Sequence, residues 1–197
     1  SKWARNFIKP QIGSWLVYID YSSQEPAIMG YLSGDKNKIR AYQSGDIYID
    51  TAKQFGKVPD TATPETHPEE RGMFKIIDLA NNFGQGHLSV AQSLKCSTAH
   101  AKFLMKKYKE TFKVYFEWLD GFIEHGMCRG YMSTVYGWQR HIKDLFHIKN
   151  GKKQDIRRSL MNWPIQSHGA EILRKALIDL TDQNFKVCAL VHDAVLL

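Results

Sequence analysis

Two aspartates of this 197-residue chain stand where short apolar runs end. WLVYI, residues 15–19, runs into Asp20, and VCALV, residues 187–191, runs into His192-Asp193 before AVLL closes the chain. An apolar run of this length reads as a buried strand, and a carboxylate at its tip is delivered to an edge or a cleft. If the two strands are neighbours, the paired carboxylates are what two-metal phosphoryl transfer requires, since magnesium favours oxygen donors. Either aspartate alone is equally an ordinary turn residue, so the chemistry depends on adjacency. A second pattern is Arg71, Lys75, Leu79 and Phe83, spaced every fourth residue. That spacing keeps them on one face of a helix, where two cations suit phosphates and an aromatic ring suits a base. It also fits a solvated basic face with two core residues.

The elements that must position these residues can be read from the pattern. The final strand, His192-Asp193 and AVLL predict a hairpin with both polar residues at its tight turn. Ile28, Met29, Tyr31 and Leu32 predict a short helix stopped by Ser33-Gly34-Asp35. Residues 58–68, with three prolines, predict a loop, and Glu69 to Phe83 a helix with an acidic start and Gly84 and Gly86 as terminators. Residues 99–124 predict the longest helix, with Phe103, Leu104, Tyr108, Phe112, Tyr115, Phe116 and Leu119 as its apolar face. Residues 130–149 predict two short strands around Gly137, and 155–179 a helix interrupted near Pro164.

With 43% hydrophobic residues the chain can bury a substantial core, and a formal charge of +7 favours a polyanionic partner. Its three cysteines are far apart and offer neither a disulfide framework nor a zinc knuckle, so a reducing compartment is expected. No apolar run approaches the roughly 20 residues of a membrane helix. Ser1 at one end and an apolar strand at the other lead us to expect a fragment of a longer protein.

DYSSQEPAIMGYLSGD, residues 20–35, resembles the DYSQIELR…LSGD segment of the DNA polymerase I family, or family A. EERGMFKIIDLANNFGQG, residues 69–86, resembles the family's fingers helix. GYMSTVYGWQRHIKDL, residues 130–145, resembles its GY…T..GRRR.IPDL stretch, and RRSLMNWPIQSHGAEILRKALI, residues 157–178, its R.A.N.P.QGTAAD helix. VHDAVLL resembles its VHDE motif. The resemblance implies an α+β polymerase palm with a small antiparallel sheet and a mostly helical fingers subdomain. Residues 1–35 would begin the palm, 36–129 form the fingers, and 130–197 form a truncated second part of the palm, without thumb or exonuclease domains. The implied activity is template-directed DNA synthesis with two Mg2+ ions, acting on primer-template DNA and deoxynucleoside triphosphates in the cytosol of a bacterium or phage-infected host. Remaining polymerase domains are expected on the full-length chain.

Residue by residue, the resemblance makes Asp20 and Asp193 the metal-binding carboxylates, with the backbone carbonyl of Tyr21 as a further ligand. Glu25 matches the gate that crowds the 2′ position of the incoming sugar. Arg71 and Lys75 would hold the triphosphate, Lys75 also stabilising charge that develops during transfer, with Leu79 and Phe83 completing the nucleotide pocket. Arg140, Asn162, Gln166 and His192 match residues contacting template or primer. The basic run Arg140, Lys143, Lys149, Lys152, Lys153, Arg157 and Arg158 could track phosphates. The chain departs from the family at Leu79 and Phe83, which replace Phe or Tyr and Tyr, at Ala27, which replaces Arg, at Ala194, which replaces Glu, and at Ser167-His168, which replace Gly-Thr. Phe83 lacks the phenol that would hold Glu25, so looser sugar discrimination is expected. Two rivals are a noncatalytic DNA-binding remnant and a single-subunit phage-type RNA polymerase, the latter disfavoured by Glu25.

Overall fold

Asp20 ends β1 (Tyr18–Asp20), which pairs antiparallel with β7 (Ala194–Leu196), and β7 pairs in turn with β6 (Ala189–Val191). The sheet order is therefore β1-β7-β6, closed by a two-residue turn at His192-Asp193. His192 has φ 63°, a left-handed conformation of the kind tight hairpin turns use. These features belong to a computed structural model that describes residues 7–149 and 151–197; the side chains at 147, 149 and 152–154 lie outside that description, Lys149, Lys152 and Lys153 among them.

Between β1 and the closing hairpin the chain is mostly helical. α1 (Gln24–Ser33) stops at Gly34, whose φ of 69° an L-residue would adopt only with strain. α2 (Lys36–Gln43) and α3 (Ile47–Gln54) start from Asp35 and Asp46, each accepting two backbone N–H groups of the first turn. α4 (Pro68–Asn82) follows the expected loop, with Pro68 in its first turn and Glu69 and Glu70 against its positive end. α5 (His87–Leu94), α6 (Thr98–Thr111) and α7 (Lys113–Arg129) complete the helical region. Then come the hairpins β2 (Tyr131–Ser133) with β3 (Gln139–His141) and β4 (Phe146–Lys149) with β5 (Lys152–Asp155), α8 (Arg157–Leu160) and α9 (Trp163–Asp182).

The main core lies where α1, α3, α4, α6, α7 and β2 meet, around Met29, Phe74, Ile77, Leu104, Leu119 and Met132. Within it Lys38 is fully buried, its Nζ 3.5 Å from Asp78 and 4.5 Å from the centre of the Phe112 ring, and it donates to the Tyr108 hydroxyl at 3.1 Å. The Tyr108 hydroxyl donates in turn to Asp78. Burial lowers the Lys38 pKa against the opposing pull of Asp78, and raises those of Tyr108 and Tyr115.

Three expectations are corrected. β1 is a strand, but an exposed one: Val17 to Asp20 face solvent, because β1 is an edge strand whose main packing is against β7. The single helix over 99–124 is two, broken at Phe112 (φ −109°, ψ 42°). There Asp35, 80 positions earlier, accepts the N–H of Tyr115 at 3.0 Å and so supplies a cap for α7 that no local pattern announces. Phe103 is exposed beside His100, since α6 buries Ala101, Leu104 and Tyr108 instead. The helical region over 155–179 is interrupted near Pro164 as expected: α8 ends at Leu160 and α9 starts at Trp163 with Pro164 in its first turn, where a proline gives up no helical hydrogen bond.

Candidate active site

Asp20 lies opposite Ala194 in the β1–β7 register, so Asp193, the preceding residue, is its neighbour across the strand pair. Directly opposed antiparallel residues sit about 4.5–5.5 Å apart at Cα. The Tyr21 N–H reaches back to the Asp193 carbonyl at 3.5 Å, tying the two segments past the end of the ladder. Asp20 is exposed and makes no ion pair among the described residues. Among the described residues the Asp193 carboxylate pairs only with His192, whose Nδ1 is 3.5 Å away. The two aspartates stand on neighbouring segments, and among the described residues neither carboxylate pairs with a Lys or Arg, so together they could attract a divalent cation.

Oxygen donors of this kind would suit only a hard ion that takes few protein ligands. Among the described residues no cluster of three or more His, Cys, Asp or Glu side chains is poised to hold a metal. Magnesium is commonly held by one or two carboxylates, with water and substrate phosphates completing its shell. Asp20 and Asp193 could supply such carboxylates, and the Tyr21 carbonyl belongs to the same stretch.

Next to this edge is a cleft of about 70 Å³ that brings Glu25, Gln166, His192 and Asp193 together. Gln24 and Gly169 also line it, and there the Gln24 amide donates to the Gly169 carbonyl at 3.4 Å. Glu25 is carried by the first turn of α1 and Gln166 by the first turn of α9. The Gln166 amide donates to the Glu25 carboxylate at 2.5 Å. Glu25 thus has a partner despite the missing phenol at Phe83, a contact between positions 141 residues apart that no local signal announces.

The other sequence-derived residues are placed differently. Arg71, Lys75, Leu79 and Phe83 form the expected stripe on the open face of α4, while Phe74, Ile77 and Asp78 face the core. None of the four lines the cleft with Asp193. Lys75 is exposed and makes no ion pair among the described residues. Arg71 donates to Asp46 at 2.6 Å, and its guanidinium lies 5.3 Å from the centre of the Tyr48 ring. Asp46 therefore both caps α3 and holds Arg71. The capping role is legible in Ser-Gly-Asp before an apolar run; the pairing is not. Arg140 is braced against α8 by hydrogen bonds to the Ser159 carbonyl and hydroxyl. Asn162 is the residue preceding α9, half-buried.

The family model for DNA polymerase family A matches residues 1–197. The chain belongs to DNA polymerase family A. It is 29% identical over 198 residues to the thermostable DNA polymerase I of Thermus aquaticus, covering 98% of this chain and 23% of that protein. It is equally 29% identical to DNA polymerase I of Caldicellulosiruptor bescii, over 203 residues and 24% of that protein's length. This family A chain thus spans about a quarter of the curated relatives it matches. Its fold matches the POL domain of Pol1 from M. smegmatis, solved in complex with DNA primer-template and dNTP, at a TM-score of 0.79 and 30% identity. That match covers 93% of this chain and 33% of the other. The mostly helical architecture with small antiparallel sheets is that of a family A polymerase fragment. Among the described residues no helix is long and apolar enough to cross a membrane.

Proposed function

We propose that this chain is the palm-and-fingers part of a polymerase that extends a DNA primer on a template. Residues 1–35 and 130–197 form the palm in this reading, and 36–129 the fingers. The observation that carries it is the β1–β7 register, which sets Asp20 beside the Asp193 turn at the rim of a cleft holding Glu25 and Gln166.

In this proposal Asp20 and Asp193 hold two Mg2+ ions, with the Tyr21 carbonyl as a further donor. The chemistry such ions supply when bound is activation of an attacking hydroxyl and stabilisation of the leaving oxygen. Glu25, steadied by Gln166, crowds the 2′ position of the incoming sugar. Arg71 and Lys75 bind the triphosphate and Phe83 stacks on the base, with Leu79 between them; release of Arg71 from Asp46 precedes its use. Arg140, Asn162, Gln166 and His192 contact the primer-template near its end.

The test is primer extension by the full-length protein and by its Asp20→Ala and Asp193→Ala forms in Mg2+. Extension abolished in both variants, with DNA binding retained, supports the proposal. Extension that survives either substitution defeats it. Metal-independent DNA binding by a wild type unable to extend would identify a noncatalytic remnant instead.

A further inference from the structure

A second cavity, of about 310 Å³, shares Gln24 with the cleft and is lined in part by Tyr21. One wall is a face of α1 that includes Ala27 and Tyr31, with Tyr42 of α2 beside it. Val135 and Tyr136, on the turn between β2 and β3, form the lip. The lip is fixed in place. The Val135 N–H donates to His168 Nε2 at 3.0 Å, which leaves Nδ1 as the protonated nitrogen, donating to the Pro164 carbonyl at 2.5 Å. The Trp138 N–H donates to the Thr134 hydroxyl across the same turn at 3.0 Å.

The lining is largely apolar and, among the described residues, contains no Lys, Arg, Asp or Glu. Tyr21, Tyr31, Tyr42 and Tyr136 all contribute, and none of their hydroxyls has a hydrogen-bond partner among the described residues. Tyr31 and Tyr136 are 60% and 59% exposed, so their rings are open at the rim. Ring faces for stacking, hydroxyls that both donate and accept, and no charge suit a neutral planar heteroaromatic with a polar edge. A phosphate would find no cation among the described lining residues. The volume is at the small end of ligand cavities, which run from about 300 to 1,000 Å³, and suits one base rather than a base pair.

We infer that this slot takes an unpaired nucleobase of DNA lying across the Asp20–Asp193 edge. The inference rests on the proposed function and names a substrate feature that this function does not require. What commits it to DNA is continuity: Tyr21 lines the slot, follows Asp20, and donates its N–H to Asp193. Ala27 keeps the wall short and uncharged where the DYSQIELR pattern places an arginine, so Ala27→Arg would fill the slot with a cation.

The test uses the full-length protein with primer-templates carrying 2-aminopurine at the primer end, mismatched or paired, and free 2-aminopurine riboside as a separate ligand. The mismatched base is expected to be quenched on binding, as stacking on tyrosine dictates. Ala27→Arg and the rim substitution Tyr31→Leu should each weaken binding of the mismatched end about tenfold while the paired end binds as to wild type. Thermal melting of both variants checks that they fold. Unchanged affinity for the mismatched end in both folded variants overturns the inference. So does quenching of the free riboside as strong as that of the DNA end, which would make the slot a nucleoside site. A wild type that cannot extend a paired primer, yet holds the mismatched end in a slot-dependent way, sinks the polymerase proposal and leaves the slot standing; extension with slot-independent quenching does the reverse.

Discussion

Replacing Gln166 by leucine removes the amide that donates to the Glu25 carboxylate while keeping a side chain of similar size. A hydrogen bond to a charged group contributes about 1.5–3 kcal/mol when protected from water. Gln166 is exposed and Glu25 half-buried, so water competes for both and the expected contribution falls to about 1 kcal/mol. If Glu25 gates the sugar, that energy sharpens its position against a 2′-hydroxyl, and its loss corresponds to about a fivefold drop in selectivity. The measurement is kcat/KM for a deoxynucleotide and its ribonucleotide opposite one template base, in wild type, Gln166→Leu and Glu25→Ala. Glu25→Ala should lose most of the discrimination, and Gln166→Leu should fall between it and wild type. Because one exposed amide stands in for the missing phenol at Phe83, wild-type selectivity itself is expected to be modest. Selectivity in Gln166→Leu equal to wild type, alongside a collapse in Glu25→Ala, would show that the gate needs no help from Gln166.

Further outcomes are expected elsewhere in the molecule. Lys75→Ala should raise KM for the nucleotide and leave DNA affinity unchanged in a filter-binding assay, since Lys75 makes no ion pair among the described residues. Asp78→Ala strands the buried Lys38 ammonium without its carboxylate and should cost about 3–5 kcal/mol in urea denaturation, against at most about 0.5 kcal/mol for Glu117→Ala in the exposed Lys113 pair. Gly126→Ala sets a methyl against Met132 Cγ where α7 meets β2, and a loss of about 1–3 kcal/mol in the same assay is expected. Stability should also depend on pH with two opposite slopes. Burial lowers the Lys38 pKa below 10.5, so the unfolded chain binds more protons than the folded one in the window beneath that value, and stability rises with pH there. Burial raises Tyr108, Tyr115 and, to about 12, Tyr48, so above about pH 10 the unfolded chain loses protons that the folded one keeps, and stability falls. Denaturation midpoints of Lys38→Met should lose the rise and retain the fall.

Much of the architecture could be read locally because its signals are local. Gly34 ends α1 by its backbone freedom, Pro68 with two glutamates opens α4, and the apolar runs around His192-Asp193 fold as a hairpin. The order of the motifs carried the family, since Asp20, Glu25, Arg71, Lys75, Gln166 and Asp193 fall in segments that each resemble one of its stretches. α2, α3 and α5 have only eight residues each, too few turns for a periodic pattern to stand out, and helices this short are stabilised chiefly by packing on neighbours. The break at Phe112 escaped for a related reason: the α6–α7 sequence is periodic throughout, and the carboxylate that caps the second helix comes from Asp35.

The sequence by itself determined which residues could do chemistry and the order in which they occur, because residue type and spacing are properties of the chain. Only the tertiary structure decided their company. It paired β1 with β7 so that Asp20 meets the Asp193 turn, gave Glu25 to Gln166, tied Arg71 to Asp46, and left β1 exposed at a sheet edge. Each of these is a contact between residues far apart along the chain. Such contacts are fixed by how the whole set of elements packs, and no stretch of sequence short enough to be read as a pattern contains that information.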